Sequence, residues 1–267
     1  MALEGRLRIG VLSDGDVLQR WQVDALEHLR AVPGVDLVVW IAPPANRAHA
    51  APGPKGRSEA WRTFLYRRYR SRLFRPASMQ EMDVRERFGD LPRLPCAPQA
   101  EGIRTRFLPE DLAAIGAYAP DVLLRFGYGI LDGDILDLPT HGVWSFHHGD
   151  EMKYRGGPPG LWEIMNGDPL TGAVLQRLTR KLDGGHILKK GWFATVDHSL
   201  AETVDTVLSH TSIWPAQVCR ALLDGDTEAA VGQASTTEAP LYRYPRNLEF
   251  LRFLRIQARN KLRFHRT

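Results

Sequence analysis

Apolar and polar positions in the first forty residues follow two patterns, each typical of one kind of element. Leu7–Leu12 is a short run that is apolar apart from Arg8, and residues 35–41 form a second run that is apolar apart from Asp36. Between the two runs, apolar side chains recur at helical spacing up to Pro33 and Gly34: Leu18, Trp21, Ala25 and Leu29. Continuous apolar runs are typical of buried parallel strands, and the helical spacing indicates a helix with one buried face. The segment is therefore predicted to be a β–α–β unit.

The same alternation resumes after residue 101. Strands are predicted at 102–107, 121–126, 142–146, 173–178 and 186–188, and helices at 109–118, from 160 and at 201–223. Strands that alternate with helices favour an open α/β sheet. The turn after the first strand lacks the G-x-G-x-x-G pattern, so the sequence does not support a dinucleotide site there.

Residues 43–101 interrupt this alternation. Residues 43–60 and 76–101 are rich in Pro, Ala or Gly and are predicted to be loops. Residues 58–75 are predicted to form an arginine-rich helix, because Trp61, Leu65, Tyr69 and Leu73 lie four residues apart. We interpret 43–101 as an insertion that either covers a site or extends the edge of the sheet. Its arginines are expected to face solvent, or to form a lid toward a phosphate or carboxylate.

The composition is that of an ordinary globular protein, and it excludes several classes. The chain has 267 residues, 43% of them hydrophobic, with no apolar run long enough for a membrane helix and too short an apolar stretch for a secretory signal at its start. Its two cysteines, Cys96 and Cys219, are not in a CxxC spacing, which argues against a disulfide framework and a cysteine zinc site. A cytoplasmic enzyme is the expected class.

Candidate chemistry concentrates between residues 141 and 160. Three of the nine histidines lie at 141–148, on a predicted strand that runs into a loop rich in Gly and Pro. Ligands in open α/β sheets sit beyond the carboxyl ends of strands, so this cluster is a candidate active site. Ser145 and His147 are two residues apart and share a face, whereas His148 faces away unless the strand has ended. A second loop carries Asp183 before two glycines, a sequence that is usually a plain turn.

The cluster resembles the signature of the folate-dependent formyltransferases, G-x-x-N-x-H-x-S-x-x-P-x-Y-R-G. Gly142, His147, Tyr154, Arg155 and Gly156 fit it without gaps. Further residues match the family in order and spacing: Trp162, Gly167, Asp168, Gly172, Asp183, Gly185 and Ile187. Residues 121–131 are similar to the strand and folate-binding loop of the family, so the resemblance covers roughly residues 7–225.

The resemblance implies a Rossmann-like formyltransferase fold, with an open, mostly parallel, twisted sheet and helices on both faces. It implies a catalytic domain at 1–225 with the insertion at 43–101, and a short extension at 226–267 with a basic amphipathic helix. The co-substrate would be 10-formyltetrahydrofolate, the catalytic pair His147 and Asp183, and no metal would take part. The folate-binding residues would be Gly129, Ile130, Leu131 and Gly184.

Departures from the family pattern affect the expected chemistry. Ser145 stands where the family has Asn, and His148 stands where the family has Pro directly after the histidine. Gly149 and Met152 stand at the Ser and Pro positions of the signature. A serine hydroxyl is a shorter donor than an amide and rotates, and losing one oxyanion donor typically costs about 10²–10³ in rate. Either the Ser145 hydroxyl or His148 supplies the missing donor, so both are counted as catalytic candidates, or the chemistry has shifted. The alternatives are a hydrolase acting on formyl-folate or a related amide through the same His and Asp, and a catalytically altered member.

The expected acceptor is the primary amine of a small molecule, either an amino sugar or an amine of specialised metabolism. The net charge of +4 comes from residues 243–267, which carry eight basic residues against Glu249, so residues 1–242 sum to −3. The tRNA-formylating members of the family have an additional C-terminal barrel, whereas about forty residues follow Gly225 here. We therefore expect no nucleic-acid partner and no membrane partner, and a homodimer stays open.

Overall fold

The computed structural model describes residues 5–44, 57–180 and 184–265. The strands are β1 (Leu7–Leu12), β2 (Val17–Gln19), β3 (Val35–Ala42), β4 (Glu81–Asp83), β5 (Arg93–Pro95), β6 (Gln99–Glu101), β7 (Arg104–Arg106), β8 (Val122–Arg125), β9 (Ile130–Asp132), β10 (Val143–His147), β11 (Arg155–Gly156), β12 (Leu170–Arg177), β13 (His186–Ala194), β14 (Gln233–Ala234) and β15 (Leu241–Tyr242). The helices are α1 (Arg20–Arg30), α2 (Arg57–Arg62), α3 (Phe64–Arg72), α4 (Arg85–Phe88), α5 (Pro109–Gly116), α6 (Leu161–Asn166), α7 (Leu200–Thr211), α8 (Trp214–Leu223) and α9 (Asn247–Phe264).

The central sheet has eight strands in the order β14-β13-β12-β10-β8-β1-β3-β5. The five strands from β10 to β5 are parallel to their neighbours, and β12, β13 and β14 pair antiparallel. The expectation of an open, mostly parallel α/β sheet is therefore confirmed. Among the residues that the structure describes, no helix is both long and apolar enough to cross a bilayer.

Alternate residues of the central strands fill separate hydrophobic clusters on the two faces of the sheet. On β3, Trp40 joins the cluster under α1 and α8, whereas Val39 and Ile41 join the cluster under α5. On β8, Leu124 joins the cluster under α1 and α8, and Leu123 joins the cluster under α5. Because both faces are covered, these strands are mostly apolar, which is why the sequence predicted them as apolar runs.

Several predicted elements differ from the structure. The helix predicted at 58–75 is two helices, α2 and α3, and the loop predicted at 76–101 contains β4, α4, β5 and β6. Residues 93–95, predicted to be loop, form the edge strand β5, because a proline at the end of an edge strand leaves the ladder to β3 intact. The long helix predicted at 201–223 is two helices, α7 and α8. Pro215 lies in the first turn of α8, where its missing N–H costs nothing, and the break comes just before it.

The C-terminal segment packs around the loop that follows β10. β15 pairs in parallel with β11, with Leu241 opposite Arg155 and Tyr242 opposite Gly156. Phe250 and Phe253 of α9 are buried in a cluster with residues of α3 and α6. The basic side chains of α9 are on its exposed side, so this amphipathic helix docks through its aromatic face.

Glu163, in the first turn of α6, is an acidic residue inside this packing. It is 1% exposed, and its Oε1 atom has no hydrogen-bond partner among the described residues. Burial, together with the nearby Asp168 and Asp150, raises the pKa of this carboxyl to about 7. The folded protein therefore retains a proton on Glu163 over a pH range in which an exposed glutamate is ionised.

We expect Glu163→Gln to stabilise the protein most above pH 7. The wild-type carboxyl has an ordinary pKa near 4.5 in the unfolded chain and about 7 in the folded chain, so stability is lost as the pH rises through this window. Glutamine avoids that loss, and the variant should gain up to about 3 kcal/mol over wild type across the window. Urea unfolding at several pH values measures this. Glu110→Gln, in the exposed first turn of α5, is the control, and a gain from Glu163→Gln that does not change with pH contradicts the prediction.

Candidate active site

A cavity of about 170 Å³ lies at the carboxyl ends of the parallel strands β8 and β10. Ser145 and His147 of β10 both line it, as their shared strand face requires. Ser145 pairs with Arg125 of β8 on one side and with Gln176 of β12 on the other, and both of these partners line the cavity too. The sheet register itself therefore assembles a row of three polar side chains beside the histidine.

His147 is oriented by the loop that follows it. Its Nε2 atom lies 3.0 Å from the carbonyl oxygen of Tyr154. A carbonyl only accepts hydrogen bonds, so Nε2 carries the proton in this contact and Nδ1 is the nitrogen that gains or loses one. The arrangement therefore fixes the tautomer that a proton-relaying histidine needs.

The turn between His147 and Tyr154 is braced by side chains from β13. Asp150 accepts hydrogen bonds from Lys190 at 3.0 Å and from the indole nitrogen of Trp192 at 3.2 Å. The backbone of the turn closes with the amide of Tyr154 donating to the carbonyl of Asp150 at 2.6 Å. Asp150 therefore supports the position of the carbonyl that holds His147.

Arg125 is a cavity residue that the sequence analysis missed. Its guanidinium donates to Ser145 Oγ at 2.9 Å and to the carbonyl of Gly129, while its buried Nε has no partner among the described residues. Burial lowers the pKa of this guanidinium below its usual range, and Asp14 opposes the shift from beyond ion-pair distance. The available signal was one charged residue at the end of the apolar run at 121–126, which was interpreted only as a strand.

His148 is not with the cavity residues. Its ring stacks on Phe146 with centroids 5.6 Å apart, meets Trp21 edge-on at 4.9 Å, and lies 3.3 Å from the hydroxyl of Thr211. Burial lowers its pKa to about 3, so the ring is neutral at physiological pH. Strand β10 continues through His147 and turns the next side chain to the opposite face. Of the two predicted donors, Ser145 lines the cavity and His148 does not, so the geometry favours Ser145 as the candidate donor.

The predicted folate-binding residues fall mostly at this cavity. Gly129, Ile130 and Leu131 line it. Gly184 does not line it, but its carbonyl accepts a hydrogen bond from Thr179, which does. The volume of about 170 Å³ is below the ~300–1,000 Å³ of pockets that enclose a drug-sized ligand, so the cavity can take only part of a ligand of that size.

Asp183, predicted as the partner of His147, lies outside the described residues. The flanking residues Arg180 and Gly185 both line the cavity. Within residues 5–44, 57–180 and 184–265, no three histidine, cysteine, aspartate or glutamate side chains come together as a group that could hold a metal ion.

Two other arginines at the cavity are already engaged by carboxylates. Arg104 lies 3.1 Å from Asp132, which Arg106 also contacts, and these hydrogen bonds hold the pKa of Asp132 at about 2. Arg180 pairs with Asp134 at 3.1 Å and with Asp137 at 2.5 Å. In the part of the chain that the structure describes, Arg125 is thus the cavity guanidinium that has no carboxylate within 4 Å.

Comparisons with known proteins point to one family, although no family model matches the chain. A methionyl-tRNA formyltransferase from Myxococcus xanthus is 40% identical over 91 residues, which are 34% of this chain and 28% of that protein. This chain spans less than half the length of each of the first curated relatives that it matches.

Solved structures share the fold over most of the chain. A phosphoribosylglycinamide formyltransferase from Anaplasma phagocytophilum has a TM-score of 0.55 at 15% identity, with 89% of this chain and all of that one covered. A sugar N-formyltransferase from a Shewanella species has a TM-score of 0.52 at 12% identity, with 94% and 87% covered. By its local sequence match and by its fold, this chain is similar to the formyltransferases.

Proposed function

We propose that this chain transfers a formyl group from 10-formyltetrahydrofolate to the primary amine of a small molecule. The observation that carries the proposal is the convergence of Ser145 and His147, both at signature positions, on one cavity with residues 129–131 of the folate-binding loop. The sequence match to a methionyl-tRNA formyltransferase supports 10-formyltetrahydrofolate as the formyl donor. This donor was predicted from the resemblance to the formyltransferases, and both the signature residues and residues 129–131 are part of that resemblance.

The proposed reaction needs a group that accepts a proton from the amine and a group that donates a hydrogen bond to the oxyanion. The amine nitrogen attacks the formyl carbon, and the carbonyl electron pair moves onto oxygen. The new C–N bond forms, the bond from carbon to the folate nitrogen breaks, and the proton lost by the amine ends on that leaving nitrogen. His147 is suited to the proton relay through Nδ1, since Nε2 is engaged by Tyr154. Asp183 is proposed to stabilise the histidine when it is charged.

The acceptor that we propose is an amino sugar, with an amine of specialised metabolism as the next class. The structural likeness to a sugar N-formyltransferase covers 94% of this chain and supports a small acceptor at the level of the fold. A phosphate or carboxylate on the acceptor would gain little net positive charge from the cavity, because Arg104 and Arg180 already pair with carboxylates. None of the residues of α3 that the structure describes lines this cavity, so its arginines do not contact a ligand there.

The test is an incubation with 10-formyltetrahydrofolate and a panel of amino sugars, nucleotide-linked amino sugars, amino acids and methionyl-tRNA. Mass spectrometry should show one amine that gains the mass of a formyl group, in step with tetrahydrofolate formation. Formate released at the same rate with or without an amine would identify a hydrolase, and formylated tRNA alone would overturn the small-molecule acceptor. Absence of any donor consumption across the panel would overturn the proposed function.

A further inference from the structure

The guanidinium of Arg125 is the least expected polar group in the cavity. It ends a strand whose other residues, Val122, Leu123 and Leu124, are completely buried. A largely buried cation that has no carboxylate within ion-pair distance among the described residues loses part of its hydration without an ion pair from them in return, which is costly to the fold. The Arg125 guanidinium lies at the carboxyl end of β8, beside the signature residues Ser145 and His147. Its unfavourable environment there indicates a functional role in the cavity.

The contact between Arg125 and Ser145 is directional. The guanidinium has only donors, so in the 2.9 Å contact the Ser145 hydroxyl accepts and its own proton points elsewhere. Within the described residues, the one acceptor recorded for that proton is the carbonyl of Phe146 at 3.5 Å, at the outer limit for a hydrogen bond. A ligand oxygen in the cavity would be a closer acceptor. A hydroxyl that accepts from a cation is also a stronger donor than an isolated one.

The hydrogen bond from Arg125 matters because of where Ser145 lies in the signature. Ser145 stands at the Asn position of the signature, where the amide side chain would donate to the developing oxyanion. The serine alone is a shorter and more mobile replacement. Arg125 restricts the rotation of its hydroxyl and adds a fixed positive charge behind it. Parallel pairing between β8 and β10 sets the two residues side by side, so the arrangement is built into the sheet rather than into a loop.

We propose that Ser145 donates a hydrogen bond to the formyl oxyanion and that Arg125 acts through Ser145 as its positioning residue. The pair replaces the amide donor of the signature. The inference rests on the proposed function and adds to it the source of the missing donor. Because the oxyanion exists only along the reaction path, the pair is expected to act on kcat rather than on the KM for either substrate.

A double-mutant cycle tests the proposal by comparing the wild-type protein with two single variants and the double variant. Ser145→Ala and Arg125→Gln are each expected to lower kcat by about 10²-fold, with both KM values within about threefold of wild type. The double variant should be no more than about threefold slower than either single variant, because one unit has been lost in all three. Arg93→Gln, which removes an arginine from the far edge strand of the same sheet, is the matched control and should leave kcat unchanged.

The proposal is overturned if the losses multiply in the double variant, or if Arg125→Gln raises the KM for an anionic acceptor while kcat is preserved. If Arg125→Gln does not fold, as judged by its circular dichroism, Arg125→Lys takes its place in the cycle. Ser145→Ala removes a single oxygen, and full kcat in that variant overturns the proposal by itself. Failure of the proposed function is distinguishable from all these outcomes, because wild type would then transfer no formyl group.

Discussion

His147→Ala is expected to lower kcat for formyl transfer by about 10³-fold and to leave the fold intact. The ring is at the surface of the cavity rather than in the core, and its Nε2 atom hydrogen-bonds with the carbonyl of Tyr154. Removing a group that relays a proton typically costs 10²–10⁴-fold. Steady-state kinetics with the acceptor found in the amine panel measure the loss, and thermal unfolding checks that the variant is folded.

The adjacent histidine supplies the control for this prediction. His148→Phe keeps a ring against Trp21 and Phe146 and loses only the contact to Thr211, so kcat should stay within about threefold of wild type. The last residue of β10 and the residue that follows it would then differ by two orders of magnitude or more, because only the first of the two side chains lines the cavity. Equal losses in the two variants would contradict the placement of the active site at this cavity.

The sequence could predict the histidine of the site, but only part of its surroundings. Strand alternation put Ser145 and His147 on one face and raised the objection to His148 that the structure upholds. Arg125 was not predictable in the same way, because its role comes from pairing with a strand twenty residues further along the chain. A single-strand pattern contains no information about which neighbour lies alongside and in what register.

The fold was predictable where burial on both sides leaves long apolar runs. The strands at Leu7–Leu12 and Val35–Ala42 are of this kind, and both were found from their composition. Short edge strands have no such run, so Arg93–Pro95 was taken for a loop. The pairing of β15 with β11 was also invisible, because each strand has two residues and the two lie far apart in sequence.

Gly156→Ala is expected to lower the free energy of unfolding by about 3 kcal/mol. Gly156 has a φ of +84°, a conformation that costs a residue with a Cβ about 1–2 kcal/mol. The new Cβ would also overlap the backbone carbonyl oxygen of Tyr242, and overpacking against backbone adds about 1–3 kcal/mol. The strand pair β11–β15 would be forced apart at the point where the C-terminal segment meets the loop after His147. Chemical denaturation of the purified variant measures the loss.

Gly102→Ala separates the two causes of that loss. Gly102 has a φ of +65°, but a Cβ there would meet no described atom within 4 Å, so this variant adds backbone strain alone and should lose about 1 kcal/mol. The excess loss at Gly156 then measures the close approach of Tyr242. Equal losses in the two variants would mean that β15 moves aside at no cost. The glycine of the signature would then be required for its backbone conformation rather than for the contact with the C-terminal segment.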